Sequence, residues 1–157
     1  MFNVVLVNPE IPPNTGNIGR LCVAVGARLH LIKPLGFHID DKHLKRAGLD
    51  YWQKLDLVIW ESLGHYLRSV VPGRIVLTGS KRGRLYYQVE FKAWDHILFG
   101  PETSGLTGDL FDQFPSRIAR IPINLQKTRS LNLSTAAGII VFEGLRQLNV
   151  VPGTGSQ

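Results

Sequence analysis

The chain of 157 residues is 44% hydrophobic and 19% charged, the size and balance of one globular domain that buries about 70% of its unfolded surface. Its 18 Lys and Arg against 12 Asp and Glu leave a net charge of +6, which favours an anionic partner, nucleic acid first. No run reaches the ~18 apolar residues of a membrane span, and the N-terminus opens on a strand-like FNVVLV rather than a signal segment, so a cytoplasmic location is expected. The single cysteine, Cys22, excludes an internal disulfide and falls on an apolar helical face, where a packed thiol is the plainer reading than a nucleophile.

Residues 2–7 predict a buried strand. It runs into NPEIPPNTGN, where three prolines break regular pairing and Asn14 and Gly16 supply turn chemistry. Asn17 then reads as the cap of a helix carrying Ile18, Leu21, Cys22 and Val25, which Gly26 closes. Spacing alone makes Asn17 and Arg20 a plain cap and a solvated arginine. Residues 28–32 predict a second strand, followed by a Pro34-Leu35-Gly36-Phe37 loop.

In DDKHLKRAGLDYW, two acids open a short helix, then Lys42, Lys45 and Arg46 precede Tyr51 and Trp52. That pattern suits RNA, with charge for phosphate and rings for unpaired bases, as well as it suits a solvated amphipathic helix obeying the macrodipole. Residues 55–60 predict a third strand, 62–70 a helix and 74–78 a fourth strand ending at Thr78. Lys81, Arg82 and Arg84 with Tyr86 and Tyr87 repeat the cation-and-aromatic theme between glycines, and favour a nucleic-acid face.

Three apolar runs dominate residues 96–144. Ile97-Leu98-Phe99 stops at Gly100-Pro101, the run 118–123 is broken by Pro122, and Ser130-Leu131-Asn132 leads into a helix through Leu145 and Leu148. Polar turns at the ends of buried strands are where open α/β sheets hold ligands. The alternation predicts an α/β fold: a mostly parallel sheet covered by helices on both faces, one domain over residues 1–150, and a frayed tail over 151–157.

Several chemistries lack their fingerprints. There is no G-x-G-x-x-G after the first strand, no P-loop, no serine elbow, and the five histidines show no metal spacing. What remains is a set of strand-end Asn, Arg, Glu and Ser residues that position and polarise, with reactivity supplied by the substrates.

The segments NPEIPPNTGNIGRLC, KRAGLDYW, LFGPETSGL and RSLNLSTAAGIIVFE resemble the SPOUT-class RNA 2′-O-methyltransferases, most closely the TrmL (YibK-like) tRNA methylases, in order and over residues 2–148. The resemblance implies an α/β knot, in which the C-terminal segment threads a loop into a trefoil that general topology rules make improbable. It implies a homodimer, and S-adenosylmethionine held without metal by loops after Thr78, Phe99 and Ile121, so that Thr78, Gly100, Ile121, Ser130 and Leu133 are the implied cofactor residues.

Methyl transfer to a ribose 2′-hydroxyl is assigned by the same resemblance to Arg20, supported by Asn17, Glu102, Ser130 and Asn132. A guanidinium keeps its proton, so a grip on the adjacent phosphate stands beside the role of base for Arg20. The implied substrate is the wobble nucleotide of leucine tRNAs. With no appended RNA-binding domain in view, Lys42, Lys45, Arg46, Lys81, Arg82 and Arg84 are the candidate contacts to the anticodon stem-loop. Another tRNA or rRNA target, and a non-catalytic RNA-binding dimer, are the alternatives. The run Phe142-Glu143-Gly144-Leu145 departs from the subfamily pattern, where a tyrosine and a tryptophan are usual.

Overall fold

Among the described residues, seven short strands line up parallel in one sheet, β3-β2-β1-β6-β4-β7-β5, with every pairing in the same direction. The structure, a computed structural model, describes residues 1–39 and 49–153. The strands are β1 (Asn3–Val7), β2 (Arg28–Ile32), β3 (Leu57–Trp60), β4 (Ile75–Gly79), β5 (Arg84–Leu85), β6 (His96–Phe99) and β7 (Ile118–Arg120). Among the described residues the α-helices are α1 (Pro12–Val25), the single turn α2 (Leu49–Trp52), α3 (Leu63–Arg68), α4 (Gly108–Gln113) and α5 (Leu133–Gln147).

The valine- and leucine-rich strands are apolar on both faces because both faces are covered, as a parallel sheet requires. Val4 and Leu6 of β1 point into a core shared with Ile18 and Cys22 of α1 and Ala137 and Ile140 of α5. Val5 and Val7 point the other way, into a core with Tyr66 of α3 and Leu110 and Phe111 of α4. The sheet with helices on both faces is the predicted architecture. Cys22 is fully buried, and that burial pushes its thiol up to about 12, which fits a packing role.

Three local expectations change. The first helix starts at Pro12, five residues before Asn17, which lies exposed within it. Prolines at the first two helical positions lose nothing, since those N–H groups have no intrahelical acceptor anyway. Ile11 occupies the cap position and provides no side-chain cap, while Gly26 closes the helix at φ 68° as expected. The helix α4 and the two-residue strand β5 have no counterpart in the sequence reading. The predicted helix over the Lys42, Lys45 and Arg46 cluster lies outside the described residues, as do residues 154–157.

β7 inserts between β4 and β5, which are consecutive in the chain and joined only through residues 80–83. The order also reverses at β1 and β6: the chain leaves β1 toward β2 on one side, while β4 and β7 lie on the other. Such a switch opens a crevice at the carboxyl ends of the strands.

On the face under α3, starting from the amino ends of β1 and β6, lies a polar-aromatic cluster. Trp60 Nε1 donates to His30 Nδ1 at 2.9 Å, so the His30 proton sits on Nε2 and is donated to Asn3 Oδ1 at 3.1 Å. The Asn3 amide in turn reaches the Trp94 carbonyl and His96 Nε2, and Tyr66 meets His96 Nδ1. Beside it, Asp95 is fully buried and neutralised by Arg117 and Arg74. This network has places for neutral imidazoles only, and burial lowers both His30 and His96 to about 4.

Because both histidines have folded-state values below 6.5, the unfolded chain takes up more protons between pH 6.5 and 4. Stability should therefore be full near neutrality and decline as pH drops through that window. Urea titrations at pH 7 and pH 5 measure this, and equal midpoints would contradict the neutral network. A second prediction concerns Trp94, which is 62% exposed yet held at φ 70° in the turn closed by Asp95 N–H to the Lys92 carbonyl. Trp94→Gly should raise stability by about 1 kcal/mol by relieving that left-handed strain.

Candidate active site

The three polar turns singled out in the sequence converge at the carboxyl ends of the strands. A cavity of about 980 Å³ is walled by Thr78–Arg82 at the end of β4, by Gly100–Leu106 after β6, and by Ile121, Ile123 and the run 129–133 between β7 and the start of α5. Ile11 and Asn14 enter from the β1 side, and Phe99, Ala119, Ala136 and Ile140 form an apolar floor. The Gly100 turn is folded tightly on itself: a Cβ there would lie 2.2 Å from the backbone of Gly105 and Leu106. Thr78 is fixed by donating its hydroxyl to the Leu98 carbonyl at 2.9 Å, which ties the β4 loop to β6.

Glu102 is the centre of the polar wall. Its Oε2 accepts from the Glu10 backbone N–H at 2.8 Å, and its Oε1 accepts from Ile11 N–H at 3.1 Å and from Asn14 Nδ2 at 3.3 Å. The carboxylate thus caps α1 from another loop, at the positive end of the helix dipole. Asn14 Oδ1 then accepts from Asn132 Nδ2 at 2.9 Å, and Asn132 Oδ1 caps α5 by accepting from Ser134 N–H at 2.9 Å and Thr135 N–H at 3.4 Å. One chain, α5–Asn132–Asn14–Glu102–α1, fixes every amide orientation along it. Glu10 returns the contact, its carboxylate accepting from Thr103 N–H and Oγ1 at 2.9 and 2.8 Å.

Of the nine residues predicted for catalysis or the cofactor, seven line this cavity together: Thr78, Gly100, Glu102, Ile121, Ser130, Asn132 and Leu133. Asn17 and Arg20 do not. With Asn14 they follow an inclined stripe of three-residue steps that leaves the cavity for the exposed side of α1. There Arg20 lies over the Tyr51 ring, 6.0 Å from its centre, and Tyr51 donates to the Gly16 carbonyl at 2.6 Å. Lys81 and Arg82 stand at the cavity rim, and Arg82 is engaged by Asp112 at 2.9 Å and by the Phe111 ring. Arg84 sits apart, on β5. Lys42, Lys45 and Arg46 lie outside the described residues.

The sequence reading missed Asn14 and Glu10. Asn14 reads as turn chemistry when the helix is begun at Asn17; three residues before Asn17 and six before Arg20, it stands on their stripe. Among the described residues no group of three His, Cys, Asp or Glu could hold a metal ion, and no helix is long and apolar enough to cross a membrane.

Comparison with known proteins places these features in one context. Residues 1–142 match the SpoU rRNA methylase family. A tRNA (cytidine(34)-2'-O)-methyltransferase of Saccharophagus degradans is 44% identical over 149 residues, covering 94% of this chain and 96% of that protein. The enzyme of the same name from Escherichia coli K12 is 43% identical, with 94% of each chain covered. A solved structure from work on the 2-OH methylation of C/U34 on tRNA superposes with a TM-score of 0.88 at 39% identity, covering 96% of this chain and 92% of that one. AviRb, a SpoU methyltransferase of Streptomyces viridochromogenes solved with bound AdoMet, superposes at 0.78 with 26% identity, over 94% of this chain and 57% of that one. The Glu102–Asn14–Asn132 wall and the three-loop cavity therefore belong to a member of the SpoU methylase family.

Proposed function

We propose that the chain is an S-adenosylmethionine-dependent tRNA methyltransferase that methylates the ribose 2′-hydroxyl of the wobble cytidine or uridine. Leucine tRNAs are its implied substrates. It acts in the cytoplasm as a homodimer whose C-terminal segment is knotted through the cofactor loops. The observation that carries this reading is the cavity itself: three strand-end loops enclose an apolar floor, and a fully hydrogen-bonded Glu102–Asn14–Asn132 chain forms its polar wall. The relatives named for position 34 support the target, and the insertion of β7 between β4 and β5 supports the threading.

The residues present fit such a donor. Tight loop backbone around Gly100 and Gly79 brings amides and carbonyls to the cavity surface, and Ile121, Leu133 and Ile140 offer a flat apolar bed for a purine ring. A sulfonium donor supplies an already activated methyl group, so the protein's share is alignment and management of the hydroxyl proton. Glu102, with three donors on its carboxylate, acts as a strut that sets Asn14 and the start of α1. Ser130 and Asn132 bound the wall where the ribose would enter. Arg20, outside the cavity of its own chain, is assigned to the substrate phosphate rather than to the cofactor.

Labelled methyl transfer from S-adenosylmethionine to bulk tRNA, followed by nuclease digestion, should yield a 2′-O-methylated pyrimidine at position 34. Label in rRNA alone would redirect the target, and no label in any RNA would refute the activity. Arg20→Ala should abolish transfer and leave cofactor affinity nearly unchanged; strong loss of that affinity would contradict its assignment. Glu102→Gln would set an amide against a backbone N–H, and should cost about 2 kcal/mol of stability along with cofactor affinity. Denaturant titration and calorimetry check both.

A further inference from the structure

Arg129 stands on the cavity rim, exposed, in the segment between β7 and α5. Its flanks are anchored. Asn124 holds the turn before it, accepting from Gln126 N–H through its side chain and from Lys127 and Thr128 N–H through its carbonyl. Thr128 Oγ1 then donates to the Ser130 carbonyl at 3.0 Å, bracketing Arg129 itself. The guanidinium between these anchors has no hydrogen bond or ion pair among the described residues. Lys81, on the rim formed by the β4 loop, likewise has none. Three acids of the surrounding loops and helix are engaged elsewhere: Glu102 by three donors, Glu10 by Thr103, and Asp112 by Arg82.

Two separate loops thus present two uncommitted cations at one cavity mouth, and Arg129 stands one residue from Ser130 and three from Asn132 in the chain. We infer that Arg129, with Lys81, forms a clamp for RNA phosphates flanking the target nucleotide, with Arg129 the stronger half. A guanidinium fork fits two phosphate oxygens at once, whereas an ammonium acts as a point charge. An exposed rim is also where a polyanion arrives, while the donor's apolar parts belong on the floor below. This clamp rests on the methyl-transfer reading only for which RNA is held.

The test is binding of a labelled anticodon stem-loop RNA to the full chain by fluorescence anisotropy across a salt series, with cofactor affinity measured separately. Arg129→Ala should weaken RNA binding about tenfold and reduce the slope of log K against log salt by about 0.7 to 1, the share of one phosphate contact. S-adenosylmethionine affinity should stay unchanged and kcat at saturating RNA should fall less than about threefold, so that the loss appears in KM. Arg129→Lys should keep the salt slope and recover part of the affinity. An unchanged RNA affinity and slope in Arg129→Ala would overturn the clamp. So would a loss of cofactor affinity with RNA binding intact, which would place Arg129 on the donor's carboxylate. If the wild type transfers no methyl group, the enzymatic reading fails, while the binding series still decides the clamp.

Discussion

The carboxylate of Glu102 is the contact on which the upper half of the molecule depends. It closes the N-terminus of α1, whose own N-cap residue has no capping side chain, and it does so from a loop 91 residues away in sequence. Its interaction with Asn14 continues through Asn132 to the start of α5. Two helices that pack on one face of the sheet are therefore pinned at the same point, where their dipoles place their positive ends. Charge-assisted bonds of this kind are about twice as strong as neutral ones. They also fix direction, since each asparagine has one orientation that satisfies both neighbours.

The two polar networks of the sheet, which share asparagine, solve different problems. Under α3, His30, Asn3, His96 and Tyr66 satisfy one another, with Asn3, His30 and Tyr66 buried, so their polarity is spent internally. At the carboxyl ends, Asn14, Asn132 and Glu102 are equally well bonded but border an open cavity. The difference comes from the loops. Those at the carboxyl ends of β4, β6 and β7 are long enough to stand away from the sheet, and the switch between β1 and β6 leaves the space they enclose.

Much of this was readable in the sequence because the physics is local. Valine-rich runs bounded by glycine and proline mark strands buried on both faces, and Gly100, Ser130 and Asn132 announced the turns that became the cavity. The start of α1 was not readable, because its cap is supplied by Glu102 across the fold and two prolines imitate a loop. The helix α4 was hidden by its brevity: six residues give barely two apolar positions, Leu110 and Phe111, too few for a period. β5 is a strand only because β7 lies beside it. Arg129 carries no signature until the loop around it is folded and its neighbours are seen to be engaged.

The position of β7 has a consequence for how the chain reaches its final form. A ribosome delivers β4 and β5 one after the other, yet the finished sheet separates them with a strand made some 33 residues later. The two cannot settle side by side first without closing the slot that β7 must fill. Assembly therefore favours a late step in which the C-terminal third is brought in between elements already present. Long-range parallel pairing of this kind is slow, because loop closure is completed before the contacts that reward it form. The same arrangement makes departure costly: β7 cannot peel away as an edge strand would, and its withdrawal exposes β4 and β5 together.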